Sequence, residues 1–187
     1  MNFSKDISKF KEECVSSELI YDGKVIRVFR DEITLPDGKP AYREYNRHIG
    51  AVCVIPLTDD GEVICVRQYR YPIGDMLLEI PAGKLDFKGE DPDEAVLREL
   101  REETGAVAGK MTFLGELDTS PALINEKIYM YMAEELSFVE KELDDDEFLE
   151  VEKAPLSELV DMVMQGKISD AKTQIAVLKA ARLKGVI

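Results

Sequence analysis

The spacing of apolar residues divides the chain into a strand-rich first part, a central helix and a mixed C-terminal part. Phe3, Ile7, Phe10 and Cys14 recur at intervals of three and four, which predicts a polar amphipathic helix within residues 1–16. From Glu18 the period changes. The segments 24–35 and 41–49 alternate around Pro36-Asp37-Gly38-Lys39, the pattern of strand, turn and strand. Residues 50–57 (GAVCVIPL) are a continuous apolar run, as expected for a strand covered on both faces. A turn at 58–61 leads into a further strand at 62–70, and 76–83 (MLLEIPAG) predicts a short apolar strand ending in a Pro-Ala-Gly loop.

The strongest helix signal follows. Asp91 is a suitable N-cap, Pro92 fits the first helical position, Glu94 sits where a capping box wants an acid, and Gly105 is a stop. Strands are predicted at 111–120 and 127–136, an acidic loop at 139–147 and a last strand at 148–155. Residues 156–166 and 170–185 are then predicted to be two closing helices. The order of elements predicts an α/β protein, a mixed sheet with helices on both faces, preceded by a β-rich segment over residues 1–48.

Composition narrows the function. The chain has 187 residues, 45% hydrophobic and 33% charged, enough for a substantial core. Its net charge of −14 argues against a nucleic-acid partner, which needs a basic footprint, and makes a polyanionic substrate plausible only with cations between. Cys14, Cys53 and Cys65 form no CxxC pair, and His48 is the only histidine, so a zinc site is not expected. The buried, reduced state is the default for Cys53 and Cys65. No signal peptide or membrane-length apolar run is evident, and the expectation is a soluble cytoplasmic protein without a membrane partner.

The candidate chemistry lies on the central helix. With Glu99 at zero on a helical wheel, Glu103 falls at about +40 degrees, Glu102 at about −60 and Arg98 at about −100. Val96, Leu100 and Leu97, at about +60 to +160 degrees, are then the expected buried stripe. Three carboxylates so close together repel, and Glu102 and Glu103 also oppose the helix dipole. One explanation is a solvated acidic face partly balanced by Arg98 and Arg101. The other is a site for a hard divalent cation, whose charge turns the repulsion into attraction.

Residues 83–106 (GKLDFKGEDPDEAVLRELREETGA) resemble the Nudix box of nucleoside-diphosphate-X hydrolases, G-x5-E-x7-R-E-U-x-E-E-x-G-U with U apolar. Arg98, Glu99, Leu100, Glu102, Glu103, Gly105 and Ala106 match it. The fixed positions would coincide by chance in roughly one window per million. The departure is in the loop, where six residues instead of five separate Gly83 from Glu90. The resemblance implies an α/β/α sandwich around a mixed sheet, spanning residues 49–187 as a Nudix hydrolase domain. It also implies Mg²⁺-dependent (or Mn²⁺-dependent) cleavage of a nucleoside-linked pyrophosphate. By motif position Ala82 (through its carbonyl), Glu99 and Glu103 would hold the metal, Glu102 would be a further or water-mediated ligand, and Arg98 would orient the carboxylates.

Outside the box the chain resembles the ADP-ribose pyrophosphatase branch. VRQYRYPIG (66–74) before LLEIPAG would assign Arg70 to the substrate's phosphates or terminal ribose. Pro121 stands 16 residues after the box glycine, the branch's spacing, although Ser-Pro-Ala replaces Ser-Pro-Gly. Pro121 and Glu126 would complete the substrate-contacting set. DDDEFLEV (144–151) resembles the loop that carries a catalytic glutamate, which would make Glu147 the general base, with Glu150, Asp146 or Glu102 as rivals. Tyr42, Tyr45 and Phe29 are stacking candidates for adenine. The resemblance further implies a homodimer exchanging N-terminal strands. The expected reaction is hydrolysis of ADP-ribose to AMP and ribose 5-phosphate. The alternatives are another nucleoside diphosphate sugar or dinucleotide, or a non-catalytic nucleotide-binding module.

Overall fold

The computed structural model describes residues 7–140 and 148–187. The chain forms two compact units, one of the described residues up to His48 together with Ser120–Glu126, the other of the remainder.

The first unit is a meander of β1 (Glu13–Asp22), β2 (Arg27–Thr34) and β3 (Pro40–Asn46), all antiparallel. The start of the chain departs from the helical expectation. Residues 7–10 make a turn, with the Phe10 N–H donating to the Ile7 carbonyl, and Cys14 lies in β1. Every residue of β1 is exposed, so the three-and-four spacing has no apolar surface to bury against, and pairing with β2 satisfies the backbone instead. Segment 120–126 joins this unit by a parallel bridge between Asn46 and Ile124 and by the Asn46 N–H donating to the Leu123 carbonyl.

The second unit is built on β4 (Ala51–Pro56), whose six residues are all buried. Its side chains alternate. Cys53 and Ile55 point into a cluster with helices α2 (Leu156–Met164) and α3 (Ala171–Leu183), while Val52 and Val54 meet helix α1 (Pro92–Thr104). A strand with helices on both faces must be apolar throughout, which accounts for the unbroken GAVCVIPL run. Strand β4 lies between β7 (Ala82–Lys84), antiparallel, and β9 (Lys127–Phe138), parallel, and β9 pairs with β8 (Ala106–Asp118). A second sheet has the order β10–β5–β6, from β10 (Leu149–Pro155), β5 (Glu62–Arg70) and β6 (Asp75–Glu79). The unit is therefore an α/β/α sandwich with mixed strand directions.

The apolar stretch 76–83 is two strands in different sheets, because Pro81 has no N–H to continue a ladder; β6 stops at Glu79 and β7 starts at Ala82. Cys53 and Cys65 are buried free thiols, and burial pushes both up to about 12, so they stay protonated at neutral pH. Among the described residues no helix is long and apolar enough to cross a membrane.

Candidate active site

Helix α1 begins as its sequence dictates. The Asp91 side chain accepts from the Asp93 N–H at 3.0 Å, and Pro92 occupies the first turn. At the other end Gly105 takes φ 70°, a left-handed conformation that favours glycine, and its N–H closes on the Arg101 carbonyl at 2.8 Å. The Tyr131 hydroxyl donates to Asp93 at 2.6 Å, tying β9 to the first turn.

The buried face of α1 is not the one expected. Leu97 is 44% exposed, whereas Ala95, Val96, Glu99, Leu100 and Glu103 are buried. The buried arc is thus centred on the carboxylates instead of lying beside them. What covers them is β7. A Cβ built on Gly83 would overlap the Glu99 carboxylate, so only glycine lets strand and helix approach this closely. One residue earlier, the Ala82 N–H donates to Glu103 Oε2 at 3.2 Å. Glu99 is 8% and Glu103 3% exposed.

Arg98 gathers the remaining acids. Its guanidinium lies 2.9 Å from Glu99, 3.3 Å from Glu90, 3.4 Å from Glu102 and 3.5 Å from Asp86. Its partial burial lowers its pKa, but the four carboxylates outweigh this and hold it above the ordinary arginine value. The longer loop folds back onto this hub, where the Asp86 N–H donates to Glu90 Oε2 at 2.6 Å. The extra residue therefore leaves the helix face intact.

One guanidinium cannot neutralise so many anions, and burying carboxylates without compensating charge is costly. Among the described residues no three His, Cys, Asp or Glu side chains form a ready-made cage. Mg²⁺ does not need one, since it keeps several waters and takes one or two carboxylates beside substrate oxygens. Glu99 and Glu103, converging on the backbone at 82–83, fit such an ion.

A second charged group lies on the neighbouring sheet. Arg70, the last residue of β5, donates from Nε and Nη2 to the two oxygens of Glu79, each at 2.7 Å. Glu79 is 1% exposed and also accepts from the Lys172 ammonium. Burial raises the Glu79 pKa, but the hydrogen bonds from Arg70 and Lys172 outweigh it and hold the carboxyl below its ordinary value. Glu103 is within electrostatic reach of Arg70, so this group borders the box.

The NUDIX domain family model matches residues 47–175. The chain belongs to the Nudix family. The Nudix match is preceded by one to the nucleoside diphosphate sugar hydrolase N-terminal domain, over residues 12–46. The chain is 42% identical over 173 residues to the ADP-ribose pyrophosphatase of Bacillus subtilis (strain 168), covering 91% of this chain and 93% of that one. It is equally 42% identical over 170 residues to the methanol dehydrogenase activator of Bacillus methanolicus, covering 90% and 91%. Among solved structures, an ADP compounds hydrolase superposes with a TM-score of 0.84 at 26% identity, over 94% of this chain and 96% of that one.

Within this Nudix chain the structure brings together Ala82, Arg98, Glu99, Glu102 and Glu103, with Arg70 on the adjoining strand end. Pro121 and Glu126 belong to the first unit. Pro121 lies in an exposed turn closed by the Leu123 N–H on the Ser120 carbonyl, and Glu126 stands 3.5 Å from His48 Nδ1. Glu147 and Asp146 lie outside the described residues, while Glu150 is exposed on β10, paired in register with Arg67. Phe29 and Tyr45 stack at 6.1 Å, and Arg47 lies over the Phe29 ring at 3.6 Å, so that ring face is already covered; Tyr42 is exposed. Sequence reasoning missed Glu79 and Lys172. A lone acid in the apolar run MLLEIPAG was a usable signal for Glu79, but nothing local marks Lys172, 93 residues away.

Proposed function

We propose that this Nudix hydrolase cleaves the diphosphate of ADP-ribose, releasing AMP and ribose 5-phosphate, with Mg²⁺ as its metal and Mn²⁺ as a substitute. The convergence of Glu99 and Glu103 on Ala82 and Gly83 supports the reading most directly, because that donor set suits a hard cation beside a phosphate. The extended similarity to a Bacillus ADP-ribose pyrophosphatase supports the choice of substrate.

In this reading Glu99, Glu103 and the Ala82 carbonyl would hold the metal, and Glu102 would be a further or water-mediated ligand. The bound cation would neutralise phosphate charge and make water more acidic. Arg98 keeps the carboxylates aimed through charge-assisted hydrogen bonds. Arg70 receives a phosphate oxygen, and Pro121 and Glu126 contact the remainder of the substrate. Glu147 takes the proton of the attacking water. A new P–O bond forms in line as the bridging P–O bond breaks, and the departing phosphate carries away the other sugar. The N-terminal β segment (1–48) acts as a separate element before the catalytic domain (49–187), and its strands are exchanged in a homodimer. The cytoplasm suits three free thiols.

A second reading, another nucleoside diphosphate sugar as substrate, is favoured by the N-terminal family match at residues 12–46. A substrate panel with Mg²⁺ and product identification separates the two. ADP-ribose should rank among the best substrates by kcat/KM; a clear preference for a different sugar nucleotide would overturn the first reading. Light scattering should give twice the 21.1 kDa chain mass.

A further inference from the structure

Glu79 is a buried carboxylate facing two cations, and its second cation comes from far along the chain. Arg70 uses Nε and Nη2 on Glu79, while among the described residues Nη1 has no hydrogen-bond partner and the side chain is 39% exposed. The ammonium of Lys172, near the start of α3, meets Glu79 Oε2 and lies 3.1 Å from Asp170 Oδ1. Asp170 Oδ2 in turn caps α3, accepting from the Thr173 N–H at 2.9 Å and the Thr173 hydroxyl at 2.6 Å. The same hydroxyl accepts from the Ile80 N–H at 2.9 Å, so the helix start is fastened to the segment leading into Ala82 and Gly83.

The charges in this chain of contacts balance, two positive and two negative. Without Lys172, Glu79 would still hold Arg70 but would spend its whole charge on it, and the edge beside the acidic box would become net negative. We propose that Lys172 is a positioning residue that keeps Glu79 from quenching Arg70, so that the free Nη1 edge remains attractive to a substrate phosphate. This rests on the reading of Arg70 as a phosphate contact. It accounts for an expensive arrangement, a lysine brought to a buried carboxylate that already has a bidentate arginine.

Steady-state kinetics on the best substrate of the Mg²⁺ panel test the idea, with melting temperatures recorded alongside. Lys172→Met should raise KM about tenfold while kcat stays within about twofold, the size expected for one unit charge several ångströms from the phosphate. Lys172→Arg should restore KM. The double variant Glu79→Gln/Lys172→Met removes one charge of each sign and should recover most of the lost affinity, although it removes two polar partners. A purely structural role predicts instead that the two losses add. Failure of the double variant to improve on Lys172→Met overturns the proposal. If Lys172→Met does not fold, Asp170→Asn decides the matter, since asparagine keeps the helix cap and removes one negative charge. KM should fall for that variant, and a rise at unchanged melting temperature would overturn the proposal. Arg70→Gln separates the two levels. An unchanged KM there refutes the phosphate reading itself, whereas a raised KM with a neutral Lys172→Met refutes the Lys172 role alone.

Discussion

Around Arg98 one guanidinium is shared by four carboxylates, whereas around Glu79 one carboxylate is shared by a guanidinium and an ammonium. The first group lies on α1 and the loop before it; the second joins β5, β6 and the start of α3. Both are at least partly buried, and burial magnifies any imbalance of charge. The acidic group has too few cations of its own and is suited to acquiring one. The other sets two cations against Glu79 and Asp170, so that its charges balance, and leaves a guanidinium edge for an anion. On the function proposed above, the two groups would lie on either flank of a metal-bound diphosphate. A protein of net charge −14 can thereby take an anionic substrate without a basic surface.

The comparison breaks most decisively at its acidic centre. Glu103→Gln should lower kcat by about a thousandfold or more with an unchanged melting curve, the loss of several kcal/mol of charge stabilisation at about 1.4 kcal/mol per tenfold. Near-normal turnover would remove the metal from the account. Arg98→Lys keeps the charge but cannot reach four acids from a planar fork; the Mg²⁺ concentration for half-activation should rise about 10–100-fold. If that concentration does not move, Arg98 is not what aims the acids. Gly83→Ala inserts a methyl where the Glu99 carboxylate sits, and should weaken Mg²⁺ activation about tenfold, at the low end for disturbed ligand support. Wild-type activation by this variant would mean that Glu99 is free to move aside.

The smallest effect concerns pH. The Glu79 carboxyl is held below its ordinary value of 4.5, so its ionised form contributes stability that is present above about pH 4.5 and is lost as the pH falls further. Glu79→Gln should therefore melt lower than wild type at neutral pH, and the gap should narrow in acid. A gap of constant size between pH 7 and pH 3 would contradict the assignment.

What could be read from sequence differs between the two groups for the same reason that their charges differ. The Arg98 group is almost entirely local, and helical geometry was enough to bring Arg98, Glu99, Glu102 and Glu103 together, whereas the places of Asp86 and Glu90 were decided by how the loop folds back. The wheel misplaced the buried arc, putting Leu97 inside it and the carboxylates beside it, because the position of a buried arc depends on what covers it, and β7 covers the carboxylates. The Glu79 group closes over 93 residues through the packing of α3 on the sheet, a contact that leaves no periodic trace. The N-terminal helical expectation failed likewise, since the apolar spacing at 7–14 had no core to meet and strand pairing with β2 prevailed.

The sequence by itself determined the capped helix, the doubly covered strand β4, the glycine stop and the acidic motif, each set by interactions among residues close along the chain or by alternation along one strand. Only the tertiary structure decided that Gly83 must yield its side-chain space to Glu99, that Glu79 is held between Arg70 and Lys172, and that the apolar run at 76–83 divides between two sheets. Those outcomes depend on which surfaces exclude water together, and that is fixed only when distant segments pack.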